Sequence, residues 1–294
     1  MHKIEIGTEI VKQYPATIDE MTSKQFVEFS ALVFMYQSQQ ISFSEFSIKL
    51  TYQLLNMKRR VNISNHPDAN IIAENINSLS KLNEAFFEKK IINKKSVKVI
   101  RLDFVRNLIP KVNINTQWYY GPGDALTNTE FGEYVSALNA YLDFSKTGKE
   151  EDLDWMIASL YRPECKLRKK HNLEDTRISF EKHRVQHLAA VLTKIPFAQK
   201  YAIYLWFSAC QKFIVTNKQL ELSGDITVDL SVLFKQESTG EKGIGMAGVI
   251  YSLAETNVFG DAEKTAKQNM YDVFLRMLQT YLQAKKMQKD AKNR

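Results

Sequence analysis

The stretch from Phe197 to Thr216, FAQKYAIYLWFSACQKFIVT, holds no glycine or proline and is apolar on nearly all of its sides. A segment without a polar face has to sit as a helix in the middle of a folded body. Its longest apolar run, Tyr201 to Cys210, is too short and too interrupted to cross a bilayer, so no membrane partner is expected.

Around this segment the chain repeats capped, amphipathic helical patterns. Thr22 or Ser23 can accept a hydrogen bond from the first free N–H groups of a helix over Thr22–Tyr36. Phe26, Phe29, Val33 and Tyr36 then fall on one face at helical spacing. Ser42 or Ser44 opens a second helix carrying Phe46, Leu50 and Leu54, which makes a helical hairpin. Asn62 to Pro67 reads as a turn. Ile71 to Phe87 reads as a helix, and Lys89 to Lys98 as a basic linker. The Gly-Pro-Gly step of WYYGPGD (Trp118 to Asp124) stops any helix. Thr127 or Asn128 then opens a helix through Phe131, Tyr134, Leu138 and Tyr141, and Glu150 to Leu160 returns. Glu181 to Thr193 and a long last helix from Asp261 to about Lys289 complete the pattern.

MTSKQFVEFSALVFMY aligns with LTNTEFGEYVSALNAY at constant offset, Thr22 on Thr127, Phe26 on Phe131, Phe29 on Tyr134 and Tyr36 on Tyr141. Duplication of a hairpin and the shared pattern of any two capped helices both explain this. The expected fold is mainly α: a multi-helix bundle with two similar helical hairpins and little or no β structure. Short strands are expected only near 97–105 and 225–233. The division expected is 1–95, an N-terminal helical hairpin region, and 96–294, a main helical domain with the long C-terminal helix.

The chemistry-bearing residues do not assemble into a recognised catalytic pattern. Cys165 and Cys210 are the only cysteines and form no CxxC pair, so neither a disulfide framework nor an oxidising compartment is implied. His183 and His187 have the i, i+4 spacing of zinc ligands, with His171 and Cys165 nearby, but they sit in HRVQH rather than HExxH. Arg184 and Lys182 would oppose a dication, and solvent-facing histidines are the reading taken. Gly243 to Gly248 (GIGMAG) satisfies GxGxxG without the βαβ setting of a dinucleotide site or the GK[ST] ending of a phosphate loop. Glu150, Glu151, Asp152 and Asp154 stand at a helix start, where they complement its dipole. No enzyme activity, cofactor or metal is therefore expected. The net charge of +7 gathers in Lys89 to Arg101, in Arg162 to Lys170 and in the C-terminal tail. Solvated surface explains these groups, and phosphate binding is the less favoured reading.

WYYGPGDALTNTEFGEYVSALNAYLDF with DLDWMIASLYRP, KIPFAQKYAIYLWFSACQKFI, and GMAGVIYSLAETNVFGDAEKTAKQNMYDVFLRML resemble phage and prophage tail-region proteins of the tail-assembly-chaperone kind. The resemblance implies a non-enzymatic assembly protein that binds other tail components, tape measure or tail tube, in the host cytoplasm. A structural virion protein of the tail or neck is the first alternative, and a nucleic-acid-binding protein using the basic clusters is the second. A homo-oligomer is compatible with each. Candidate protein-binding residues are Trp118, Tyr119 and Tyr120 beside the rigid turn, and Met270, Phe274, Met277 and Tyr281 on the seam of the last helix. Both sets have an alternative: the first can plug its turn against the core, and the second can pack on its own body.

Overall fold

The computed structural model describes residues 1–6, 10–58, 67–92, 94–171, 175–222, 226–234 and 246–292. The chain is mainly α and divides into two compact units. The first comprises Met1–Phe104 with Phe197–Trp206, and the second Val105–Pro196 with Phe207–Arg294.

In the first unit, β1 (His2–Ile6) and β2 (Ile10–Tyr14) form an antiparallel hairpin. Helix α1 (Ser23–Gln37) starts at Thr22 and α2 (Phe43–Leu54) at Ser42; each start is a reciprocal capping box, with Gln25 and Glu45 as the returning side chains. Helix α3 (Ala69–Ser80) passes into a 3-10 turn, Lys81–Phe86. The α-helix ends before the expected Phe87, and the 3-10 turn that replaces its last part carries the fully buried Asn83. The Asn83 amide donates to the Ser47 carbonyl at 2.8 Å, and its Oδ1 accepts from the Tyr14 hydroxyl at 2.6 Å. Burial pushes the Tyr14 hydroxyl up to about 12. The expected basic linker is instead a hairpin, β3 (Phe87–Ile92) with β4 (Lys95–Ile100). Its β-branched residues suit a pleated ribbon, and the lysines between them masked that preference. The turn expected at 62–67 lies almost wholly outside the described residues. The core is aromatic: Phe29 meets Phe46 and Phe86 edge to face at centroid distances of 6.1 and 5.7 Å, and Phe26 meets Phe104 at 5.5 Å.

In the second unit, β5 (Lys111–Ile114) and β6 (Gln117–Tyr120) pair, and a short β7 (Arg162–Pro163) joins the β6 edge. Helix α4 (Phe131–Thr147) packs on α5 (Glu150–Leu160). Gly148, at φ +67°, ends α4 in the left-handed conformation that glycine adopts without strain. Glu130, not Thr127 or Asn128, caps α4. The Asn128 side chain is committed to the loop, accepting from the Gly123 amide at 2.6 Å. Short helices α6 (Lys166–Lys170) and α7 (Val185–Leu192) follow, and α7 begins after a 3-10 turn over Lys182–Arg184. Helix α8 (Phe197–Thr216) gives its first half to the first unit and the rest to the second. β8 (Leu220–Leu222) pairs with β9 (Ile226–Val228), and α9 (Met246–Glu255) follows.

The expected last helix is two: α10 (Ala262–Ala266), capped by Asp261, and α11 (Met270–Lys292). The break has a tertiary cause. The Phe131 amide donates to the Gln268 carbonyl at 2.8 Å and the Met270 amide to the Thr129 carbonyl at 3.0 Å, so these backbone groups serve a bridge instead of a helix. The expectation of little or no β structure is corrected: the described residues hold nine short strands in four small sheets. Of the two strand windows, β4 covers the start of 97–105, while 101–105 is irregular; β9 lies within 225–233 and is followed by a 3-10 turn.

Candidate functional site

The second unit carries a buried ionic cluster and, along the same helix, an open trough. Both start from α4. Glu133, in its first turn, is completely buried between two arginines, Arg162 and Arg177, which are 2% and 1% exposed. Arg177 Nη1 donates to Glu133 Oε1 at 2.6 Å and to the Leu160 carbonyl at 2.7 Å; its Nε donates to Asp175 Oδ1 at 2.8 Å and its Nη2 to Asp175 Oδ2 at 2.9 Å. Arg162 Nη2 donates to Glu133 Oε2 at 3.0 Å, its Nη1 to the Ser159 carbonyl and its Nε to the Ile178 carbonyl, each at 2.8 Å.

Burial by itself would lower the Arg177 pKa and raise that of Asp175. The mutual charge and hydrogen bonds outweigh burial, so Arg177 is raised and Asp175 is held below the usual carboxylate range. The guanidinium donors are spent on fixed internal acceptors. The cluster therefore ties together the start of α4, the end of α5 and the 175–178 segment. Beside it, burial and then the neighbouring Glu133 charge push the Glu130 carboxyl up.

The trough has a volume of about 570 Å³. Its floor is a stripe of α4, Val135, Ser136, Asn139, Ala140 and Asp143, at spacings of three and four. Ala266 of α10 closes one end over Gly132, where a methyl group would lie 3.1 Å from the Ala266 Cβ. Trp155 of α5, Phe180, and Ile250 and Tyr251 of α9 complete its lining. A second hollow of about 450 Å³ shares Phe180, Lys182, Glu263 and Ala266 with it, which extends the trough toward Glu130 and Lys267. The small Ser136 and Ala140 of the floor, with the aromatic Trp155, Phe180 and Tyr251 around them, suit the apolar face of a helix.

No protein-family model, no curated protein and no solved structure matches this chain. The reading of the site therefore rests on its geometry and on the residues themselves.

The candidate binding residues are placed as follows. Trp118 lies on β6, is 43% exposed and has the Lys111 ammonium 4.6 Å from its ring centroid. Tyr119 is buried and Tyr120 half-buried. Met270 and Phe274 are completely buried, and Phe274 packs against Phe131 and Tyr134 at 6.0 and 5.5 Å. These two offer no surface to a partner in this arrangement; Met277 and Tyr281 stay half-exposed. His183 lies in the 3-10 turn ahead of α7, so it does not share a helix face with His187, and both are exposed. Among the described residues no histidine, cysteine and carboxylate group is arranged to hold a metal ion. Gly243 to Gly245 lie outside the described residues; Met246 opens α9. Among the described residues, no helix is long and apolar enough to cross a membrane.

Sequence reading missed both the cluster and the trough. Glu133, Arg162 and Arg177 are ordinary surface residue types, and Arg162 falls within a basic group that its sequence neighbours assign to solvated surface. The trough had one signal: Gly132, Ser136 and Ala140 recur every four residues along α4.

A prediction follows from the turn after β6. Tyr161 is completely buried, with its hydroxyl donating to the Ile109 carbonyl at 2.6 Å. A methyl group at Gly121 would stand 2.6 Å from its Cζ. The ring has no free space to yield, so Gly121→Ala is expected to destabilise the protein by about 1–3 kcal/mol, read from the urea midpoint. An unchanged midpoint would show that the turn relaxes freely.

Proposed function

We propose that this chain is a non-enzymatic assembly protein of the phage-tail kind, which binds an amphipathic helix of a tape-measure or tail-tube protein in the host cytoplasm. The observation that carries the reading is the trough along α4. It is open, walled by Trp155, Phe180 and Tyr251, and lined mainly by apolar surface. Tyr251 is 60% exposed, an accessible aromatic of the type that anchors protein interfaces. The buried arginines serve internal acceptors, so these guanidinium groups are spent on structure. The resemblance of the three sequence passages to tail-region proteins supplies the partner class.

The reading includes duplication of a helical hairpin. Phe26 and Phe29 of α1 and their counterparts Phe131 and Tyr134 of α4 are all buried, as are Leu50 and Leu54 and their counterparts Met156 and Leu160. The starts differ, since α1 opens three residues earlier in this alignment.

Co-expression with the tape-measure or tube protein tests the function. The wild-type chain is expected to co-purify with one of them. Ala140→Trp, at a half-exposed floor position, is expected to reduce capture at least tenfold (about 1.4 kcal/mol) with unchanged circular dichroism. Equal capture by the variant would remove the trough from the account. Mass spectrometry that finds the chain in purified particles at fixed stoichiometry would make it a virion component instead.

A further inference from the structure

We propose that the β3–β4 ribbon of the first unit docks into the major groove of duplex DNA through the phosphate backbone, an interaction separate from the trough. The ribbon consists of two six-residue strands in antiparallel register. At roughly 3.3 Å per residue it is about 20 Å long, and its strands lie about 4.8 Å apart. Its Phe87–Ile100 end is buried, Phe87 against Tyr36, Phe43 and Phe46, while Lys89 to Ile91, Lys94 and Lys95 are exposed. The B-form major groove, about 12 Å wide, admits such a ribbon.

Charge is distributed to suit that fit. Lys89 pairs with Lys98 on the face that Phe87 and Ile100 begin, while Lys90 and Lys95 lie on the opposite face, since successive residues alternate. Lys94, at φ +63°, leads into β4 and places another charge at the ribbon end. Cations therefore stand on both faces and at the end of the ribbon. Nearby carboxylates are already engaged: Glu84 with Lys98 at 2.8 Å, Glu88 with Lys90 at 2.9 Å and Asp103 with Arg101 at 3.8 Å. Lys89, Lys94 and Lys95 are exposed and, among the described residues, have no carboxylate in ion-pair range.

Ile91 is 82% exposed on the Lys89 face, an apolar side chain of the sort that meets a thymine methyl. Membrane insertion fits less well, because Lys94 and Lys95, not apolar side chains, lead out of the turn. A-form RNA fits less well because its major groove is too narrow for protein side chains to read.

The test is fluorescence anisotropy of the full chain with a labelled mixed-sequence 30-base-pair DNA duplex. Three unpaired lysines give a log–log salt slope of about −2.7, so affinity should fall about 40-fold between 50 and 200 mM salt. The Lys89→Gln, Lys94→Gln, Lys95→Gln triple variant should bind at least tenfold more weakly at 50 mM with a flattened slope, while the triple Lys→Arg variant should keep both. The proposal is overturned by absence of wild-type binding, by unchanged affinity of the glutamine variant, or by equal binding to an RNA duplex. Binding to phosphatidylglycerol vesicles without binding to duplex would assign the ribbon to membranes and overturn it equally.

Discussion

Arg177→Ala is expected to lower stability by about 3–5 kcal/mol, the cost of breaking a buried ion pair from one side. The size follows from what is left behind. Glu133, completely buried, would keep only Arg162, and the Leu160 and Asn128 carbonyls would lose the donors that now reach them at 2.7 and 2.9 Å. Intact, the cluster's attraction is largely offset by the cost of taking its charges out of water, so its net contribution is much smaller than the damage done by removing one member.

The effect also has a pH signature. Asp175 is held below its ordinary pKa in the folded protein by Arg177. Its contribution is thus present above the unfolded value, about 4, and is lost as pH falls through the lower folded value. Urea titrations of wild type and Arg177→Ala at pH 7 and at pH 3 should show a gap that narrows at the lower pH. A gap of under 1 kcal/mol at pH 7 would mean that water reaches the cluster and screens it.

Phe29→Ala should destabilise the first unit by about 3–5 kcal/mol, the range for removing a buried phenyl ring. Phe29 is completely buried and touches Phe26, Phe46 and Phe86, so its removal opens a cavity bordered by three rings that cannot all move inward. Hydrogen exchange locates the damage. Protection should drop in α1 and α2, and a loss confined to α4 and α5 would contradict the assignment of this core to the first unit.

Phe29 belongs to a stripe with Phe26 and Val33 that shows in the sequence, behind a Thr22 cap that the structure contains. Cys210 in the apolar helix and the carboxylates at the start of α5 were readable for the same reason. Each depends on groups within about one turn of helix, and the spacing of residue types records such interactions directly.

The Glu133 cluster joins residues 29 and 44 positions apart. Nothing in the neighbours of Arg162 or Arg177 distinguishes a buried guanidinium from a solvated one. The same limit explains β3–β4, where lysines hid a ribbon, and the break between α10 and α11, which backbone bonds to Thr129 and Phe131 impose. The local pattern by itself determined that the chain is mainly helical, narrowed the starts of α1 and α2 to two candidate caps each, and marked which faces turn inward. Tertiary packing alone decided which charges are buried, where the last helix divides and where a trough stays open, because burial and long-range hydrogen bonds depend on atoms that the chain brings together only when folded.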